Sequence, residues 1–171
     1  MTRVLIAVML CLSTLSLADL GVVKVNDVSF LASGPAGLKI KGQTNSLEVK
    51  SEGEVVVIKV ALDSVDTGIS LRNQHMKEKY LQTGTFPTAE LKFARSMLKV
   101  GPVQTGTALF SVHGVSKEVT VTYDVVKVGD QLEVKGNFDI NIKSHGIEVP
   151  SYLGVTVKPE VKVTAAFMVK P

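Results

Sequence analysis

Apolar and polar residues alternate along most of this chain. In "EVTVTYDVV" Val119, Val121, Tyr123 and Val125 fall on one side, and Thr120, Thr122 and Asp124 on the other. In "QLEVKGNFDINI" Leu132, Val134, Phe138, Ile140 and Ile142 oppose Glu133, Lys135, Asn137, Asp139 and Asn141. Near the end, Val155, Val157, Val161, Val163, Ala165, Phe167 and Val169 share a side. A period of two puts such residues on one face of a pleated strand, whereas helical spacing would scatter them around a cylinder. Turn signals at Gly34-Pro35, Ser51-Glu52-Gly53, Gly101-Pro102, Gly114 and Gly129-Asp130 divide the pattern. The divisions predict eight strands, near 22–31, 36–50, 54–63, 88–99, 104–113, 117–128, 131–143 and 155–169. The second is long and carries Gly42, where a kink or bulge is expected.

The alternation stops in "DTGISLRNQHMKEKYLQTGTFPTAELKF", residues 66–93, and resumes only after Phe86-Pro87. Asp66-Thr67-Gly68 reads as a turn, Ser70 as a helix cap, and Leu71–Leu81 as a run of good helix formers. Met76 and Tyr80 stand four apart, on one side of that helix, while Arg72, Lys77, Glu78 and Lys79 can face water. A short amphipathic helix between the third and fourth strands would lie across one end of a strand-built container.

Long antiparallel strands, each apolar on one side, bury that side in a sandwich or a closed barrel. Short connections favour an eight-stranded antiparallel up-and-down barrel, which removes exposed edges. A barrel of this size is filled by its own side chains or holds one small ligand. Periodicity alone leaves both open. The expected inner face is mostly Val, Ile, Leu and Ala, with no Trp and about one Phe per strand: Phe30, Phe93, Phe110, Phe138 and Phe167. Medium-sized residues favour a hollow modestly. A membrane barrel with its apolar face to lipid needs aromatic girdles, which three tyrosines and no tryptophan do not supply.

Composition narrows the picture further. The chain has 171 residues, the size of one domain. Residues 1–18 read as a secretory signal peptide: Arg3, an apolar run over Val4–Leu12, and small residues before cleavage at Ala18. The domain proper is then 19–171, exported to the periplasm or secreted. Cys11, the one cysteine, would leave with the leader, so stability must come from a core rather than from disulfides. Losing Arg3 lowers the formal charge by one from +3. Lysines are scattered over polar positions, which argues against a nucleic-acid partner. No further apolar stretch reaches the length of a membrane span. The pattern fixes no oligomeric state; a dimer is compatible with it.

Chemistry-bearing constellations are sparse. His75, His113 and His145 lack the local spacing of a metal motif and read as surface or turn residues. There is no nucleophile elbow, phosphate loop or dinucleotide fingerprint. Asp63, Asp66, Asp124 and Asp139 occupy polar positions where solvation accounts for them. The sequence therefore gives no sign of an enzyme, a metal site or a cofactor.

Two segments carry a family resemblance. "SVDTGISLRNQHMKEKYLQTGTFPTAELKF" resembles the signature of the YceI-like family through Ser64, Val65, Thr67, Arg72, Asn73, His75, Met76, Phe86, Pro87 and Phe93. "LFSVHGVSKEVTVTY", 109–123, is similar to that family's His-Gly-Val-Ser/Thr-Lys turn and following strand. The resemblance implies an exported, lipocalin-like barrel with an apolar interior that binds long isoprenoid lipids such as polyprenyl phosphates and quinones. The chain departs from many relatives at "NIKSHGI", 141–147, which lacks their Arg-x-Asp-Phe residues; a different lipid preference is implied.

The expectation is thus a carrier or sequestering protein for a long apolar isoprenoid-type lipid, held by desolvation. Expected ligand contacts are Phe93, Phe110, Val121, Tyr123, Phe138, Ile140, Val163 and Phe167 from the barrel, with Met76 and Tyr80 from the lid. Arg72, Lys77 and Lys79 are the head-group candidates. The alternative is a stress-related structural or interaction module whose barrel is filled and takes no ligand.

Overall fold

A computed structural model describes residues 20–152 and 154–170. The expected signal peptide lies outside the described residues. The described chain is almost entirely antiparallel sheet: β1 (Gly21–Ser33), β2 (Lys39–Thr44), β3 (Glu48–Glu52), β4 (Val55–Ala61), β5 (Thr88–Ala94), β6 (Gly101–Val112), β7 (Val115–Val128), β8 (Gln131–Asn141), the short hairpin β9 (Ser151–Tyr152) and β10 (Val155–Thr156), and β11 (Glu160–Lys170). A short helix, α1 (Ser70–His75), continues into a wider π turn over Met76–Tyr80.

The main sheet runs β2-β1-β11-β8-β7-β6-β5-β4-β3. It curls so that its inward residues form one core, with Val56 and Val169 fully buried and Val125 nearly so. From β5 to β8 each strand pairs with the next in sequence, as the short connections predicted, and β4 pairs with β5 across the long lid segment. The His113-Gly114 turn between β6 and β7 has φ of 53° and 75°, the left-handed pair that a two-residue hairpin needs.

The expected closed eight-stranded barrel is corrected here. Among the described residues β2 and β3, the two ends of the sheet, are not paired with each other. The segment expected to be one strand over 36–50 is two: β2 pairs with β1, and β3 pairs with β4. Residues 45–47 cross from one end of the sheet to the other, so closure there is covalent and not a ladder. Side chains hold the crossing. The Ser46 N–H donates to Thr44 Oγ1 at 2.9 Å, and Thr44 Oγ1 lies 2.6 Å from Ser64 Oγ. Gln43 and Asp66 exchange backbone hydrogen bonds, both 2.9 Å, tying β2 to the lid segment.

Gly42 does not make the expected bulge, because the register of β1 and β2 is regular through Phe30 and Gly42. A Cβ on Gly42 would stand 2.2 Å from the Phe30 ring, so the glycine leaves the space in which that ring lies against the neighbouring strand. The irregularities fall in β1, near Val22–Asp27, and between Gly101 and Gln104 of β6. Ser70 is the first helical residue rather than a cap; Ile69 precedes it in extended conformation, with no side-chain cap. The last turn is of the π type because Leu81 N–H reaches back to Met76 O at 2.8 Å.

Candidate functional site

Inward residues of the curled sheet form two groups at different heights. At the lid end they surround a cavity of about 650 Å³. Its wall comes from Val28, Phe30 and Ala32 of β1, Ile40 and Gly42 of β2, Val60 of β4, Ala89 of β5, Phe110 and Val112 of β6, Ile140 of β8, and Val161 and Val163 of β11. The lid adds Leu71, Arg72, His75, Met76, Tyr80 and Leu81; the 147–157 segment adds Ile147, Pro150, Ser151, Val155 and Val157. Towards the other end the inward residues nearly meet, leaving a gap of about 50 Å³ among Leu91, Phe93, Met97, Ala108, Val121, Tyr123, Phe138, Phe167 and their neighbours.

This division sorts the expected ligand contacts. Met76, Tyr80, Phe110, Ile140 and Val163 line the large cavity. Phe93, Val121, Tyr123, Phe138 and Phe167 do not; they line the small gap, where aromatic rings fill the interior. Of the head-group candidates, Arg72 lines the cavity, whereas Lys77 and Lys79 are not part of its wall. Lys79 is paired with Glu148 at 3.4 Å and lies 5.0 Å from the centre of the Tyr80 ring. Glu148 is the principal cause that raises the Lys79 pKa. The pair ties the lid to the segment after β8.

Wall residues not singled out from the sequence include Val28, Ile40, Val60, Ala89, Val112 and Val161. Their alternation was readable, but their height along the strands was not. Exposed wall residues mark the mouth: Ile69 is 53% exposed, Leu71 55% and Val155 43%. The mouth therefore opens between the start of α1 and the β9–β10 hairpin.

Polar groups in the wall are few and largely engaged. Ser29 Oγ donates to Asp27 at 3.1 Å, and Thr44 is held by Ser46 and Ser64 as described. At the rim, Asp66, Thr67, Arg72 and Asn73 form a clip. The Thr67 N–H and hydroxyl both donate to Asn73 Oδ1, at 2.8 and 2.6 Å. Asn73 Nδ2 and the Gly68 N–H donate to Asp66 Oδ1, at 2.6 and 2.8 Å. These bonds, the Asn73 amide first, hold the Asp66 carboxyl below its ordinary pKa. Arg72 Nε donates to Thr67 Oγ1 at 2.9 Å and its guanidinium to Thr67 O at 2.5 Å. Among the described residues Arg72 has no carboxylate within ion-pair distance. Its guanidinium is therefore held at the cavity wall without a direct ion-pair partner among the described residues, with exposed His75 beside it in the lid.

The two sequence motifs meet behind this wall. The Phe86 ring packs on the turn between β6 and β7, 4.5 Å from the His113 ring and in close contact with Gly114. His145, expected to be a surface or turn residue, lies in the turn after β8 and is 1% exposed. Its Nδ1 is 3.0 Å from the Val115 carbonyl, so that nitrogen carries the proton, and its ring meets Phe110 edge-on at 5.6 Å. The histidine in "NIKSHGI" thus braces the cavity wall from behind. No group of three or more metal-ligating side chains occurs among the described residues.

A family model, the YceI-like domain, matches residues 23–169. The chain belongs to the YceI-like domain family. Solved structures show the same fold for this YceI-like chain. A polyisoprenoid binding domain from Saccharophagus degradans, implicated in plant cell wall breakdown, is 15% identical, covers 88% of this chain and 97% of its own, and superposes with a TM-score of 0.71. Burkholderia cenocepacia BcnA is 17% identical, with coverage of 82% and 95% and a TM-score of 0.66. The Campylobacter jejuni YCEI protein is 13% identical, with coverage of 74% and 84% and a TM-score of 0.52. No curated protein sequence matches the chain. At these identities the likeness to solved structures is one of fold.

Proposed function

We propose that this YceI-like domain is an exported binding protein that takes the hydrocarbon chain of an isoprenoid-type lipid into its lid-end cavity. One observation carries the reading: a cavity of about 650 Å³, walled by aliphatic and aromatic side chains and open at an apolar lip. Cavities of ~300–1,000 Å³ with apolar walls are the usual size and character of small-ligand sites. Engaged polar groups in the wall offer an incoming molecule little hydrogen bonding, so affinity comes from removing the chain from water, at about 0.8 kcal/mol per methylene before ordering costs. The polar end of the lipid remains at the mouth, beside the pre-positioned Arg72 guanidinium and His75. A phosphate gains charge-assisted bonds there, and a quinone oxygen accepts from the same donors. A branched, unsaturated chain suits a cavity that is wide and walled by medium-sized residues. The polyisoprenoid binding domain of Saccharophagus degradans, which shares the fold, supports this class of ligand.

The test is organic extraction of the purified protein with mass spectrometry of the extract, followed by thermal denaturation with added quinone or polyprenyl phosphate. A co-purified isoprenoid, or a rise in Tm with one of these lipids, is expected. An empty extract together with an unmoved Tm would favour the alternative of a structural module without ligand.

A further inference from the structure

The boundary between the two interior regions is sharp. On four strands, successive inward residues pass from one region to the other at one level: Ala89 to Leu91, Phe110 to Ala108, Ile140 to Phe138, and Val163 to Ala165. Val163 is directly opposite Phe138 across the β8–β11 ladder, and Leu91 opposite Phe110 across the β5–β6 ladder. At this level the Phe110 and Phe138 rings meet edge to face, centroids 5.0 Å apart, each 7% exposed. His145 meets Phe110 edge-on from behind the cavity wall. The pair is a floor: above it is about 650 Å³ of space, and below it about 50 Å³.

A floor fixes how much chain can be enclosed. If each carbon of the chain takes about as much room as a water molecule, ~30 Å³, about 650 Å³ holds on the order of twenty carbons, or about four isoprene units. We propose that the Phe110–Phe138 pair is a ruler that limits the enclosed chain to about this length, leaving the remainder of a longer isoprenoid outside the mouth. The inference rests on the binding role proposed above and adds to it a class of ligand: short isoprenoid chains fully housed, long ones housed in part.

Binding isotherms of the purified protein with all-trans prenyl alcohols of about two to about nine isoprene units test it. Affinity should rise by about tenfold or more with each added unit up to about four and then level off, because further units stay in water. Phe110→Ala removes half of the floor and joins the gap below, so the break should move about one unit longer. Ala89→Phe places a ring in empty space just above the floor, and the break should move about one unit shorter. The second variant fills a void instead of opening one, so it keeps the test decisive if the first does not fold. Affinity that climbs in equal steps to the longest alcohol, or a break that neither variant moves, overturns the ruler while leaving lipid binding intact. Absence of binding at every length overturns the lipid role and the ruler together.

Discussion

The lid half and the far half of this sheet are written in the same alternating pattern, yet one is hollow and the other full. The difference lies in which side chains meet at each height. Near the lid, Val28, Ala32, Val60, Ala89, Val161 and Val163 of β1, β4, β5 and β11 line the wall beside Phe30 and Phe110. In the far half, Leu91 and the rings of Phe93, Tyr123, Phe138 and Phe167 crowd the interior, seated against small residues such as Ala108, Gly136 and Ala165. Glycines complete the contrast by giving up volume where rings and sulfurs need it. A Cβ on Gly106 would stand 2.5 Å from Met97 Cε, and one on Gly136 would stand 3.3 Å from Tyr123 Cβ. The far half is therefore a conventional core at close-packed density, and the lid half is a container whose shape the far half holds rigid. Tight packing and open space thus lie at different ends of the same strands.

The largest expected effect breaks this comparison directly. Phe167 is 2% exposed in the packed half, and Phe167→Ala should cost about 3–5 kcal/mol. Val161, in the cavity wall, is 7% exposed, and Val161→Ala should cost about 1 kcal/mol or less, because it enlarges a space that already exists. Urea denaturation of both variants measures the difference. Equal losses would mean that the lid half is as tightly packed as the other.

A smaller effect is expected at Gly42, where the hollow half borrows the packing device of the full one. Gly42→Ala puts a Cβ into the Phe30 ring, which is rigid and cannot yield as the end of a Met can. Overpacking of this kind costs about 1–3 kcal/mol. The displaced ring belongs to the cavity wall, so lipid affinity should change along with stability. Denaturation with and without added lipid separates the two effects, and a stability equal to that of the unaltered protein would show that the ring has room to move.

The smallest effect concerns the lid and depends on pH. Hydrogen bonds from Asn73 and Gly68 depress the Asp66 pKa below its ordinary value of 3.8. A carboxyl with a folded-state pKa below its unfolded one adds stability above the unfolded value, and loses it as pH falls through the folded one. Asp66→Asn retains an acceptor but not the charge. The Tm of the unaltered protein should exceed that of the variant at neutral pH by a modest margin, since the group is exposed, and the margin should close as pH falls below 3.8. Circular dichroism melts across that range measure it; a margin independent of pH would remove Asp66 ionisation from the lid clip.

Much of this was legible in the chain itself. The period of two placed the strands β4 to β8 and β11, and the interrupted pattern at 66–87 marked the lid with Met76 and Tyr80 in the wall. The motif residues Thr67, Arg72 and Asn73 read as a signature, and the structure gives their reason: they lock the lid's entry to one another. Other features were hidden. The run 36–50 reads as one strand because both of its halves alternate; that it changes partners at 45–47 depends on which strand each half meets. His145 resembles a turn residue by spacing and is a turn residue, yet it is buried because β6 and the start of β7 pack over it.

What the sequence by itself determined is the antiparallel sheet, its buried face, the lid and the family, because these follow from local periodicity and short motifs. Only the tertiary structure decided where the interior is filled. Whether a space closes depends on the summed volumes of side chains from strands far apart in sequence, measured at one height. The same condition decided that Phe110 faces the cavity, that Phe138 closes the gap beneath it, and that Arg72 rather than the ion-paired Lys79 stands at the wall.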